Sequence, residues 1–81
     1  MAMNEMEKVM ELLEEITPDA DFRENTALVD EGILTSFELV QLVTRIGEEF
    51  DVSILPEQII PENFNSAESI YRLIQERKED N

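Results

Sequence analysis

The sequence predicts an all-α protein: three longer helices plus one short helix, with a long loop between the first two. Three observations carry that expectation. Apolar residues recur at three- and four-residue spacing in three separate stretches. Between them lie prolines, glycines and polar runs, and the one imperfect alternation, Val52, Ile54 and Leu55, is too short for a strand and has no partner. Thr35, followed three residues later by Glu38, marks a helix start of the capping-box type.

The first helix is predicted over Asn4 to Ile16, with Met6, Val9, Met10, Leu13 and Ile16 on one face and Leu12 widening it. Glu5, Glu7, Glu11, Glu14 and Glu15 take the other face. Asn4 is the N-cap, and Pro18 ends the helix because the residue before a proline is pushed out of the α region. Residues 17 to 34 then form a connection longer than a compact helical domain usually tolerates. Phe22, Leu28, Val29, Ile33 and Leu34 are placed to pin it across the bundle. Its acids invite a calcium-loop reading, which fails. Counting from Asp19, the fifth position is Arg23 and the sixth is Glu24 where such a loop needs glycine, so no metal site is assigned.

The second helix, Ser36 to Phe50, holds most of the functional information. Leu39, Leu42, Val43, Ile46 and Phe50 gather on its core side. Glu38, Arg45 and Glu49 fall roughly opposite the core centre, and Gln41 and Glu48 lie on an adjoining strip. Phe37 lies off the core stripe, near Gln41, Thr44 and Glu48. It either faces solvent as part of a docking surface or folds back onto Leu34 or the third helix. Pro56 opens a short turn, and Pro61-Glu62-Asn63-Phe64 reads as one helical turn with Phe64 as its inward anchor. The last helix runs from about Ser66 to Arg77, capped by Asn65 with Glu68 or by Ser66 alone. Ala67, Ile70, Leu73 and Ile74 supply its buried face, with Tyr71 at the edge. Glu79 to Asn81 reads as a frayed tail.

Composition narrows the function classes. With 81 residues, the chain has room for a single domain over residues 1–81, and no internal repeat or linker divides it. At 42% hydrophobic it can build a modest core. Twenty acids against six bases give a net charge of −14, the wrong sign for binding nucleic acid and unfavourable at an anionic membrane surface. Partners should carry basic patches, and their encounter should be salt-sensitive. The chain has neither histidine nor cysteine, so it lacks both the side chain best suited to proton transfer near neutral pH and a thiol nucleophile. That argues against an enzyme and leaves no catalytic residue to assign. No apolar run approaches a membrane span and no signal-peptide pattern occurs, so the expectation is a cytoplasmic protein; a monomer is expected as well.

The helix opened by Thr35 places Ser36 at the first helical position, where unsatisfied backbone N–H groups and the macrodipole favour an anion. The run Leu28-Val29-Asp30-Glu31-Gly32-Ile33, then Ser36, then Glu38-Leu39-Val40-Gln41-Leu42-Val43 resembles the acyl carrier and peptidyl carrier protein family. Glu48 to Ile54 and Ile60 to Ser66 fit the same pattern, in the same order and spacing. The chain departs from the family at the attachment point, reading Thr35-Ser36-Phe37 where the family usually reads Asp-Ser-Leu, which bears on which transferase recognises the site.

The resemblance implies a four-helix carrier-protein bundle with 4′-phosphopantetheine attached covalently to Ser36. The arm's thiol would hold acyl or aminoacyl groups as thioesters, in fatty-acid or related biosynthesis. Alternatively the chain is a D-alanyl or aminoacyl carrier served by an adenylating ligase. Implied partners are a phosphopantetheinyl transferase, an acyl- or aminoacyl-loading ligase, and acyl-processing enzymes with basic docking patches. The docking candidates are Phe37, Glu38, Gln41, Glu48 and Glu49, with Glu62 and Phe64 flanking the arm. A reading of a different class, an acidic helical adaptor without any prosthetic group, also fits the charge.

Overall fold

The structure, a computed structural model, describes residues 4–18 and 26–79. Among the described residues four helices follow one another: α1 (Glu5–Ile16), α2 (Ser36–Phe50), α3 (Pro61–Phe64) and α4 (Ala67–Glu79), with a 3-10 turn at Pro56–Gln58 between α2 and α3. The predicted all-α bundle is what forms, with three longer helices, one short helix and the long connection after α1.

The helix starts have visible causes. Asn4 Oδ1 accepts from the Glu7 N–H at 2.8 Å and so caps α1. At the other end, the Thr17 N–H and hydroxyl both donate to the Leu13 carbonyl, at 2.7 and 2.9 Å, which satisfies this buried polar residue just before Pro18. For α4 the cap is Ser66. The Ser69 N–H donates to Ser66 Oγ at 3.1 Å and the Ser66 N–H to Ser69 Oγ at 3.2 Å. A serine thus does what the glutamate of a capping box does, and Asn65 is released for another task. The helix also continues two residues beyond Arg77, through Glu79, while Asp80 and Asn81 lie outside the described residues.

α1 packs against both α2 and α4, and α3 packs against α4. The core they enclose includes Val9, Leu13, Leu42, Ile46, Ile70 and Ile74, all essentially inaccessible to solvent. Each such side chain stabilises the fold by about 1.5–3 kcal/mol through removal of apolar surface from water. Pro61 opens α3, and Phe64 closes it by burying its ring completely. From the long connection, Leu28 and Leu34 enter the same core while Val29 and Ile33 pack against it, as the hydrophobic pattern predicts. Phe22, predicted to act with them, lies outside the described residues.

Two ties hold the ends of the bundle. Arg77 Nε donates to the Ser53 carbonyl at 2.7 Å, fastening the connection after α2 to the last turn of α4. Lys78 pairs with Glu5 on α1, and its ammonium sits 5.8 Å from the centre of the Phe50 ring.

Candidate functional site

The site is built at the N-terminus of α2. The chain reaches it through a turn over residues 28–34, closed where the Leu34 N–H donates to the Leu28 carbonyl at 2.9 Å. Gly32 sits in that turn at φ +77°, a conformation that costs any other residue about 1–2 kcal/mol. Thr35 then adopts extended backbone and caps the helix. The box is present but its two halves are unequal. Glu38 Oε1 accepts from the Thr35 N–H at 3.1 Å and from the Thr35 hydroxyl at 2.9 Å. The Glu38 N–H reaches Thr35 Oγ1 only at 3.5 Å. The glutamate half dominates.

Ser36 is exposed at the first helical position. The box takes up the N–H groups of Thr35 and Glu38, which leaves those of Ser36 and Phe37 without an intrahelical acceptor. A phosphate ester on Ser36 Oγ would have solvent access and would lie at the positive end of a 15-residue helix.

Beside the serine, Phe37 is 72% exposed, which decides between its two predicted placements: it faces solvent and does not fold back onto Leu34. Val40, one turn on, is 65% exposed. With Gln41, Thr44 and Glu48, all exposed, these two form an outward stripe along α2 that is apolar near Ser36 and acidic at the far end. Val40 was absent from the predicted docking set, although its three-residue spacing from Phe37 and four-residue spacing from Thr44 already put it on that stripe.

The acids are not all equivalent. Arg45 reaches Glu15 of α1 at 2.6 Å, Glu49 at 3.2 Å and Glu48 at 3.9 Å. The bond to Glu49 and the negative charge of Glu15 hold the guanidinium pKa above its ordinary value. Glu49 is thus engaged within the chain, and Glu48 is the freer of the two. Between α1 and α2 a shallow groove of about 360 Å³ is lined by Glu15, Ile16, Val40, Gln41, Thr44 and Arg45.

On α3, Glu62 faces solvent, but Phe64 is completely buried. The expectation that Phe64 flanks the arm as a docking residue is corrected. Its ring is spent on anchoring the short helix, and no part of it is left to meet a partner or a bound arm.

The small helical bundle sets the exposed Ser36 at a capped helix start, beside an accessible stripe. The chain belongs to the phosphopantetheine attachment site family, which it matches over residues 6–74. It is therefore a carrier protein, and 4′-phosphopantetheine is the group its family attaches. Among curated proteins it is similar to the D-alanyl carrier protein of Lactococcus lactis subsp. lactis (strain IL1403), 31% identical over 93% of this chain and 98% of the relative. It is also similar to aminoacyl carrier protein 1 of Bradyrhizobium diazoefficiens, 40% identical over 78% of this chain and 69% of the relative. The D-alanyl carrier protein of Listeria welshimeri is 44% identical over 59% of the chain and 64% of the relative. No solved structure gives a significant match.

Proposed function

We propose that this protein is an aminoacyl carrier, with D-alanyl as the favoured cargo, and that Ser36 is its attachment residue. The exposed Ser36 hydroxyl at the first position of capped α2 is the observation that supports the site. The names of the relatives support the cargo, since they are carriers of aminoacyl and D-alanyl groups. Nothing comparable favours the fatty-acid reading that the sequence left open.

In the modifying step Ser36 Oγ forms one ester bond to phosphorus, the phosphoanhydride of coenzyme A breaks, and adenosine 3′,5′-bisphosphate leaves. The serine proton passes to a base on the transferase. The attached arm supplies a terminal thiol, the nucleophile that the chain itself lacks. The chain's own residues position and present. Thr35 and Glu38 fix the helix start, and the Ser36 and Phe37 N–H groups are the donors that would meet the phosphate. Phe37, Val40, Gln41 and Glu48, together with Glu38 and Glu49 on the same helix and Glu62 on α3, are the residues offered for docking to a transferase and an adenylating ligase with basic patches. No side chain acts as a catalyst in this scheme, and the cytoplasm is the proposed place of work. Among the described residues no helix is long and apolar enough to cross a membrane.

Incubation with coenzyme A and a broad-specificity phosphopantetheinyl transferase should add one phosphopantetheine to the wild type and none to Ser36→Ala, read by intact mass. The loaded chain should then accept D-alanine from a D-alanine-activating ligase and ATP. Failure of every transferase would return the chain to the adaptor reading. Modification of Ser36→Ala would move the site elsewhere.

A further inference from the structure

Asn65 joins two parts of the chain that are distant in sequence. It follows the buried Phe64 as the C-cap of α3, so its position is set by the core. Its Oδ1 accepts from the Val29 N–H at 2.9 Å and from the Asp30 N–H at 3.1 Å. Its Nδ2 donates to Asp30 Oδ2 at 3.1 Å, and its backbone carbonyl accepts from the Leu28 N–H at 2.9 Å. One residue thus holds three consecutive residues of the loop. The Leu28 carbonyl in turn receives the Leu34 N–H, directly before the Thr35 cap and Ser36. The hydrogen-bonded path runs from α3 through Asn65 and Leu28 to the residue before the cap.

We propose that Asn65 is a positioning residue for the modification of Ser36, acting through its clamp on residues 28–30 to fix the serine loop against α3. This rests on the reading of Ser36 as the attachment residue. The clamp ties the loop that leads into Ser36 to the end of α3, so a transferase meets the hydroxyl already in place. The chemistry of the contact is specific. Only an amide offers an acceptor to two N–H groups and a donor to a carboxylate from the same side chain at this reach. Alanine removes all three side-chain bonds. Aspartate keeps the acceptors but faces the Asp30 carboxylate with a second negative charge.

The test compares wild type, Asn65→Ala, Asn65→Asp and the double variant Asn65→Asp with Asp30→Asn, in which the side-chain bond is restored with its direction reversed. Each apo protein is modified with coenzyme A and the transferase, at a temperature where circular dichroism shows every variant fully folded. Amide exchange is followed in parallel. Asn65→Ala should lose kcat/KM by at least about tenfold, mainly in kcat. Its Val29 and Asp30 amides should exchange faster while those of α1 do not. The double variant should recover to within about threefold of wild type, which a general loss of stability would not do. A folded Asn65→Ala modified at the wild-type rate overturns the proposal. So does a double variant as slow as Asn65→Asp. If wild type itself is never modified, the Ser36 reading falls, and unchanged Val29 and Asp30 exchange in Asn65→Ala separately shows that no clamp exists.

Discussion

The Thr35 hydroxyl donates a hydrogen bond to Glu38 Oε1 and accepts one, at longer range, from the Glu38 N–H. The aspartate usual in this position of the family keeps the acceptor role but has no proton to give. Placed here, it would set two carboxylates where the structure has a hydroxyl and a carboxylate in contact. Thr35→Asp should therefore be better tolerated beside Glu38→Gln than beside Glu38, with a coupling of about 0.5 kcal/mol in a double-mutant cycle of urea denaturation. Additive effects would show that Glu38 swings freely to solvent. The cap itself was legible in the sequence, because a threonine and a glutamate three apart need no tertiary context to find each other. The exposure of Phe37 was not, since the same helical position could have been covered by Leu34 or α3, and only the packed chain decides. Asn65 was readable as a cap residue for the same local reason. What diverts it is a partner 35 residues away, which no local rule contains.

As an element, α2 is asymmetric. Its first turn carries one acid, its last turn carries no base, and it ends at Asp51 in a left-handed conformation, φ 55°. Glu48, Glu49 and Asp51 thus crowd the negative end of the dipole, where anions destabilise a helix. Asp51→Asn keeps a residue that tolerates the left-handed cap and removes one of those charges. It should raise stability by about 0.5 kcal/mol, seen as a higher midpoint in thermal melts at low salt. An unchanged or lower midpoint would mean that Asp51 has a stabilising partner. The limits of α2 were predicted to the residue because a capping box and a sustained apolar period mark them. The role of Arg45 was not, because its link to Glu15 depends on how α1 lies against α2 and is invisible in either helix alone.

At the scale of the whole molecule, Glu5 joins the first helix to the last. Hydrogen bonds from Lys78 and then Gln75 hold its carboxyl below the ordinary carboxylate range. A carboxyl whose pKa is lower in the folded state stabilises the fold above its unfolded pKa of roughly 4.3, and loses that contribution as pH falls through the folded value. Glu5→Gln should therefore destabilise at neutral pH, by no more than about 1 kcal/mol for so exposed a pair, and the difference should shrink in acid. A gap that persists under acid conditions would assign the effect to the Gln75 contact instead of charge. Charge balance predicted an acidic protein in search of basic partners. It could not tell which acids are already occupied, as Glu5, Glu15 and Glu49 are.

The outward stripe of α2 also sets a rule of traffic. The helix has 15 residues, a length of about 22 Å, while a stable protein contact covers roughly 800 Å² on each side. On the proposed docking surface, two enzymes cannot sit at once. Transferase, ligase and acceptor must then take turns, so throughput is governed by how quickly each visitor departs. A tighter grip by any of them would stall the rest, and brief, weak encounters suit the carrier better than affinity.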